Sequence, residues 1–399
     1  MEETAIPILE LGVLFLAAAV FGFVARRFGL PAVIGYLVVG LVAFQLLPDD
    51  SKPDREQVQL LADVGVVLLL FEVGIELDVG RLRREHRSLL AASPLQIVAT
   101  TVIAGLVLAA IGQPLEVALI LGLCVAMSSS VVVVNITRSR TRRTNKPTET
   151  ALLGWSLLQD LSGVIVAAVL LAVWGADSRP PLEALVALGV FSLAALVAAR
   201  VFPFVLGRLR AYPDLFLLVS IAGGLVGAGI GAVFFGIPLA LAAFVAGLVI
   251  ADSPMAGEAR RRLLPFRDVF AVLFFVAVGS LLELDALFGG LQWVAIFLVL
   301  MVVTKTGMIY LFARIGRLER PSQIAVGLSQ LGEFSFVLVS VLFAARAVSP
   351  ELHAGLLAVI TLSIGASAIA ARAPVKGWIR GADDHHEHHE QPSSATGMA

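Results

Sequence analysis

Ionisable side chains lie inside long apolar stretches of the chain, where a charge is costly. Asp160, Lys305 and Glu333 are each about twelve to fourteen residues into such a stretch, and Glu72 lies nearer an end, one turn from Glu76. A charged residue at the centre of a bilayer costs about 3 kcal/mol or more. Buried charges of this kind usually mark an ion or substrate pathway, so the sequence points to ion binding or proton transfer.

The alternative for Asp160 and Lys305 is a structural ion pair between helices. A buried ion pair is seldom a better stabiliser than an apolar pair, so a transport role is favoured for Asp160, with Lys305 as its partner or as a second titrating group. For Glu333 two roles stay open, namely support of an interrupted helix and contact with the ion. Carboxylates near the ends of their stretches can reach interfacial water; they are Asp63, Glu76, Asp252 and Glu283.

The composition places these residues in a membrane. Of 399 residues, 58% are apolar and 15% charged, whereas soluble proteins have about 25% charged residues. The apolar residues form blocks of about 20, long enough to cross a bilayer as helices, and do not alternate as in a β-barrel. No basic aromatic segment suggests nucleic-acid binding, and the single cysteine, Cys124, cannot form an internal disulfide.

The sequence predicts an all-α polytopic membrane protein with about thirteen spans. The connections after odd-numbered spans hold 24 of the 29 Lys and Arg residues. Positive charges favour the cytoplasmic side, so we expect the N-terminus outside, the C-terminus in the cytoplasm, and a location in the cell inner membrane. The predicted spans are 6–25, 31–47, 58–77, 88–111, 115–137, 148–174, 183–206, 214–234, 237–251, 264–283, 291–313, 321–345 and 352–378.

The fifth and twelfth spans are predicted to be interrupted. The fifth contains three serines, 128–130, followed by four valines, and the twelfth contains Gly327, Gln330 and Gly332. Serines compete for backbone hydrogen bonds, and β-branched residues are weaker helix formers. Secondary transporters build midplane ion sites from broken helices of this kind. The first six and last six spans begin on opposite sides, which predicts inverted six-helix repeats whose interrupted helices cross.

Several stretches in this order resemble the monovalent cation:proton antiporter-2 family, the Kef-type and NapA-like exchangers, across nearly all of residues 6–378. They are LLLFEVGIELD (68–78), AMSSSVVV (126–133), LLQDL (157–161), AFVAGL (243–248), LPFRDVFAVLFFVAVG (264–279) and GLSQLGEFSFVL (327–338).

The resemblance implies a homodimer in which an ion-carrying core moves against a dimerisation or gating domain. The core is expected at 88–174 and 291–378, and the gating domain at 1–87 and 181–285. The family's ion-binding carboxylate falls on Asp160, its preceding polar position on Gln159 and its core basic residue on Lys305. We expect Ser129 and Ser130 to assist at the ion, with Gln330, Gly332 and Glu333 supporting the broken helix.

Two departures from the family pattern shape the expected exchange. Electrogenic members carry two adjacent aspartates where this chain has Gln159 and Asp160, so one cation for one proton is favoured. Glutathione-gated members carry an acidic segment and a nucleotide-binding domain, and this sequence shows neither. Regulation by glutathione is therefore not expected, and regulation by a separate subunit stays open. The segment 381–399, rich in His and Glu, is expected to be a disordered cytoplasmic tail.

The sequence therefore predicts a secondary active transporter, not an enzyme, that exchanges K⁺ or Na⁺ for protons by competition at Asp160, as in pH homeostasis. It calls for no cofactor and no bound metal, and its partners are the two ions, membrane lipid and a second copy. Two rivals stay open: a gated cation channel, and a sodium-coupled symporter in which Lys305 binds an organic anion.

Overall fold

A computed structural model describes residues 2–28, 30–46, 55–76, 89–137, 145–174, 181–237, 239–251, 253–282, 284–332 and 334–370. The described residues are almost entirely helical. The first helices are α1 (Glu2–Arg27), α2 (Ala32–Leu41, continued by a π-helical turn, Val42–Leu46), α3 (Arg55–Glu76), α4 (Leu89–Ala110), α5 (Leu115–Ala126), α6 (Ser130–Thr137) and α7 (Lys146–Trp174). Then follow α8 (Pro181–Leu209), α9 (Pro213–Phe235), α10 (Leu239–Ala251), α11 (Ala256–Ser280), α12 (Leu284–Gly289), α13 (Leu291–Leu300), a second π-helical segment (Met301–Thr306), α14 (Gly307–Ile315), α15 (Pro321–Gly327), α16 (Phe334–Ala344) and α17 (Pro350–Ala370).

The apolar helices agree with the predicted spans. Within the described ranges, nine helices are long and apolar enough to cross a membrane, and four shorter apolar segments lie at 32–45, 115–126, 239–251 and 334–344. Together they correspond one to one with the thirteen predicted spans. The all-α polytopic fold class is confirmed.

Helix α3 packs closely against α10 and α11. Gly74 on α3 faces Gly247 on α10 so closely that a Cβ on Gly74 would lie 2.9 Å from the Cα of Gly247. In a membrane, small residues at a crossing let backbones approach and gain van der Waals contact. These three helices form one bundle, and all of them lie in the predicted gating domain.

Both predicted interruptions are present. Helix α5 ends at Ala126 and α6 begins at Ser130, while α15 ends at Gly327 and α16 begins at Phe334. The two gaps meet, because the N–H of Gly332 donates to the carbonyl oxygen of Met127 at 2.9 Å. Two interrupted helices therefore cross at their breaks, as the inverted-repeat prediction requires.

Two details differ from the prediction. Helix α11 begins at Ala256, not at 264, because the helix continues through Pro265 and carries Arg260, Arg261 and Arg262 on its first turns. The π-helical segment at Met301–Thr306 was not expected, since its residues fit an ordinary apolar helix. Single π-helical turns are frequent at functional sites, and this one carries Lys305.

Candidate ion site at the crossing of two broken helices

Lys305 joins the two helix breaks by hydrogen bonds. Its side chain is completely buried, and its Nζ donates hydrogen bonds to the carbonyl oxygens of Met127 at 2.7 Å and Gln330 at 2.5 Å. The last carbonyls of a helix have no partner within the helix. The ammonium therefore satisfies carbonyls from both interruptions at once.

Further hydrogen bonds join the breaks directly. The hydroxyl of Ser128 donates to the carbonyl of Leu328 at 2.7 Å, and the amide of Gln330 donates to the carbonyl of Ser129 at 3.5 Å. At Gly332 a Cβ would lie 2.8 Å from the carbonyl oxygen of Ser128, closer than real side chains come. Glycine at this position allows the two chains to meet.

The predicted ligands Ser129 and Ser130 lie at the start of α6. Ser129 is buried, and its Oγ accepts a hydrogen bond from the N–H of Val132 at 3.4 Å, so it caps the half-helix. Ser130 is half-buried and is the first residue of α6. Both serines thus lie at the positive end of a helix dipole beside the crossing.

The carbonyl oxygens of the breaks are largely occupied. Met127 O accepts from both Gly332 N and Lys305 Nζ, which uses both lone pairs of that oxygen. Ser129 O accepts from Val133 N and from the Gln330 amide. Met127 O therefore has no lone pair left to bind an ion.

Asp160 lies on α7, which packs against α5 and α6 on both sides of the first break. It is about 21 Å along the helix from Lys146 and is half-buried. Gly163, one turn further, packs on the side chain of Met127 so closely that a Cβ there would lie 2.6 Å from Met127 Cε. Residues three apart share a helix face, so Asp160 is positioned near the crossing.

Gln159 is held by a buried polar network that sequence reasoning missed. Its Nε2 donates to Gln96 Oε1 at 2.5 Å, and Trp155 Nε1 donates to the same oxygen at 3.4 Å. Gln96 Nε2 in turn donates to Thr100 Oγ1 at 3.1 Å and to the carbonyl oxygen of Ala126, the last residue of α5, at 3.3 Å. Gln96 is an uncharged polar residue inside an apolar span, and that was the signal available in the sequence.

A match to one protein family decides which class of membrane protein this is. A family model described as "Sodium/hydrogen exchanger, transmembrane" matches residues 13–374. The chain belongs to the sodium/hydrogen exchanger family. Membership makes it a multi-pass membrane protein of a transporter family that exchanges cations for protons.

A solved structure with a similar fold is that of the sodium proton antiporter MjNhaP1 from Methanocaldococcus jannaschii at pH 8. The TM-score is 0.71 at 17% sequence identity, over 92% of this chain and 96% of that one. At this identity the likeness concerns the fold, and it agrees with the crossing of broken helices described above.

The exchanger brings most of its predicted site residues together. Lys305, Gln330, Gly332 and Ser129 are joined by hydrogen bonds, either directly or through Met127 O, and Gln159 connects to the same break through Gln96 and Ala126. Glu333 and the predicted tail at 381–399 lie outside the described residues. The pairing of Lys305 with Asp160 stays a prediction, since the hydrogen bonds described for the ammonium go to carbonyls.

A second set of buried charges in the exchanger lies away from this crossing. Glu72 on α3 is 1% exposed, and its carboxylate binds Arg260 at 2.5 Å and Arg267 at 2.9 Å, both on α11. Arg260 also contacts Glu76 at 2.8 Å. Glu72 lies one turn before the end of α3, as expected from the sequence, and its ion pairs with the two arginines join α3 to α11.

Proposed function

We propose that this exchanger carries one monovalent cation in one direction and one proton in the other, both bound in turn at Asp160. The observation that supports the proposal is that Gly163, three residues after Asp160, packs on Met127 at the first break, which Lys305 joins to the second by hydrogen bonds. Ionised Asp160 binds the cation, and protonated Asp160 releases it. Gln159, Ser129 and Ser130 assist at the ion, and Lys305, Gln330 and Gly332 hold the breaks.

The hydrogen bonds support a core that moves as one unit. Lys305 and the stretches around both breaks are joined by side-chain and backbone bonds, and these residues fall in the proposed core, 88–174 and 291–378. Helices α3, α10 and α11 pack closely against one another in the proposed gating domain, 1–87 and 181–285, and Phe275 of α11 contacts Phe336 of the proposed core. A homodimer joined through the gating domain would keep these three helices still while the core moves.

The finer placement within the family rests on sequence motifs. The six sequence motifs together favour a Kef-type or NapA-like exchanger, and the Gln159–Asp160 pair favours electroneutral exchange with K⁺ as the cation. The similar structure, named as a sodium proton antiporter, keeps Na⁺ as the second candidate. The charge distribution supports the inner membrane, with the N-terminus outside.

Proteoliposomes with an internal pH dye test the proposal. Asp160→Asn is expected to abolish cation-dependent proton movement, because the amide can neither bind a proton nor neutralise a cation. Asp63→Asn, a change at an exposed carboxylate on α3, serves as the matched control and should retain the flux. Full flux in Asp160→Asn would end the proposal.

The same vesicles resolve the choice of ion. K⁺, Na⁺ and Li⁺ are added in turn, with the membrane potential clamped at zero and then at 100 mV. Moving one net charge through 100 mV is worth about 2.3 kcal/mol, so electroneutral exchange should be unchanged by the clamp. A rate that follows the potential would contradict one-for-one exchange.

A further inference from the structure

We infer that Gln96 is a positioning residue that turns the amide oxygen of Gln159 toward the cation at Asp160. The inference rests on the proposed function, since it assigns a ligand in that same site. It adds a residue on α4 that neither the sequence motifs nor the family resemblance identifies.

The orientation of Gln96 follows from its neighbours. The carbonyl of Ala126 can only accept a hydrogen bond, so the Gln96 atom facing it, at 3.3 Å, is the NH₂ group. The indole N–H of Trp155 can only donate, so the atom facing it, at 3.4 Å, is the amide oxygen. The ambiguity between amide oxygen and nitrogen is therefore removed by two partners with fixed roles.

The orientation of Gln159 follows in turn. It approaches the oxygen of Gln96, and an oxygen there requires a donor, so Gln159 must present its own NH₂ group, at 2.5 Å. The amide oxygen of Gln159 then points away from Gln96. The Ala126 carbonyl at the end of α5 thus sets the orientation of the Gln96 amide, and the Gln96 amide sets that of Gln159, the residue before Asp160.

That oxygen is an acceptor without a donor. Within the part of the chain that the structure describes, Gln159 Oε1 is buried and has no hydrogen-bond partner, and the same holds for Ser156 Oγ, one turn earlier on α7. Buried polar atoms are nearly always paired, so an unpaired one needs an explanation. An alkali cation, which takes oxygen ligands, supplies the missing partner.

The occupied break carbonyls strengthen this assignment. Met127 O already accepts two hydrogen bonds, so side-chain oxygens must provide more of the coordination. Next to the carboxylate of Asp160, a neutral amide oxygen adds a ligand without adding charge. If the NH₂ group of Gln159 faced the cation in place of the amide oxygen, its partly positive hydrogens would repel the cation.

The test compares the cation KM with the maximal rate in proteoliposomes. Gln96→Met keeps the length of the side chain but leaves Gln159 free to turn. We expect the KM for K⁺ or Na⁺ to rise about tenfold, with a maximal rate within about twofold of the unmodified protein. Gln96→Glu keeps the acceptor that Gln159 and Trp155 require, so its KM should not rise.

Thr100→Val is the matched control, because it removes a different hydrogen bond of Gln96 and leaves the one to Gln159. Its KM should be unchanged. Since Gln96 acts through Gln159, the double variant Gln96→Met/Gln159→Leu should have the KM of Gln159→Leu alone. Additive effects of the two changes would overturn the inference.

The outcomes separate this inference from the proposed function. If Asp160→Asn abolishes exchange while Gln96→Met leaves the KM unchanged, the exchange site stands and the role of Gln96 is refuted. If Asp160→Asn retains exchange, the proposed function fails first. Should Gln96→Met not fold, Gln96→Leu takes its place, because it also removes both ends of the amide; a raised KM supports the inference and an unchanged KM overturns it.

Discussion

Lys305 is a fully buried cation whose hydrogen bonds explain its place in the bilayer. It donates to one carbonyl from each break, at 2.7 and 2.5 Å. A hydrogen bond to a charged group contributes about 1.5–3 kcal/mol, and losing it leaves a buried acceptor unpaired. The side chain is thus a structural connector of the two breaks, whatever further role it has with Asp160.

Lys305→Met should lower the free energy of unfolding by about 3 kcal/mol or more, because two hydrogen bonds from a charged donor to buried carbonyls are lost. Thermal unfolding of the purified protein in detergent measures this loss. Thr306→Val, on the next residue, removes a bond to Met301 O within the same helix and should cost far less. Equal melting temperatures for the two variants would contradict the connector role.

The sequence identified the charged residues of the site and several uncharged ones, but it missed Gln96 and the bond that Ser128 makes across the breaks. Asp160 and Lys305 were found because a charge in an apolar span is costly and therefore informative. Gln96 and Ser128 carry no charge, and the cost of burying them is removed by partners far along the chain, such as Leu328 for Ser128. Such pairings depend on tertiary contacts, which local patterns do not encode.

At the scale of helices, Gly332 decides how closely the two breaks approach. A Cβ on this residue would meet Ser128 O at 2.8 Å and Ser128 C at 3.0 Å, and both atoms belong to the backbone. Backbone cannot move aside as a flexible side chain can. The crossing therefore tolerates no side chain at this position.

Gly332→Ala is expected to destabilise the protein by about 1–3 kcal/mol and to lower the exchange rate, since it pushes the two breaks apart. Gly307→Ala is the control: nothing lies within 4 Å of its Cβ position, so it should be neutral or slightly stabilising. Melting temperature and proton flux of both variants check this. A neutral Gly332→Ala would show that the breaks can separate without cost.

The breaks themselves could be predicted, whereas the π-helical segment could not. Three serines and four valines in the fifth span, and the glycines of the twelfth, favour non-helical backbone locally. Met301–Thr306 has no such signal in its own sequence, and the Lys305 that it carries bonds to two carbonyls far along the chain.

At the scale of the whole molecule, the arrangement of positive charges predicts which loops face the cytoplasm. Ile111 lies in a connection expected outside, and Tyr212 in one expected inside; their side chains are 48% and 58% exposed. Cysteines at these two positions can be labelled, while the native Cys124 is fully buried and serves as an internal control.

A membrane-impermeant maleimide should label Ile111→Cys in intact cells and Tyr212→Cys only in inverted vesicles. The reason is that positively charged connections are retained on the cytoplasmic side during insertion. Labelling is read by a mass shift on a gel. The reverse pattern would overturn the predicted orientation.

The occupied oxygen of Met127 has a consequence for how a cation would travel. Because that carbonyl oxygen already accepts hydrogen bonds from Gly332 and Lys305, it cannot replace a water molecule in the hydration shell of a cation. An ion resting at Asp160 would keep some of its water molecules as it is carried. A partly hydrated ion would be bound weakly, and weak binding would let it leave the site readily on the other side of the membrane.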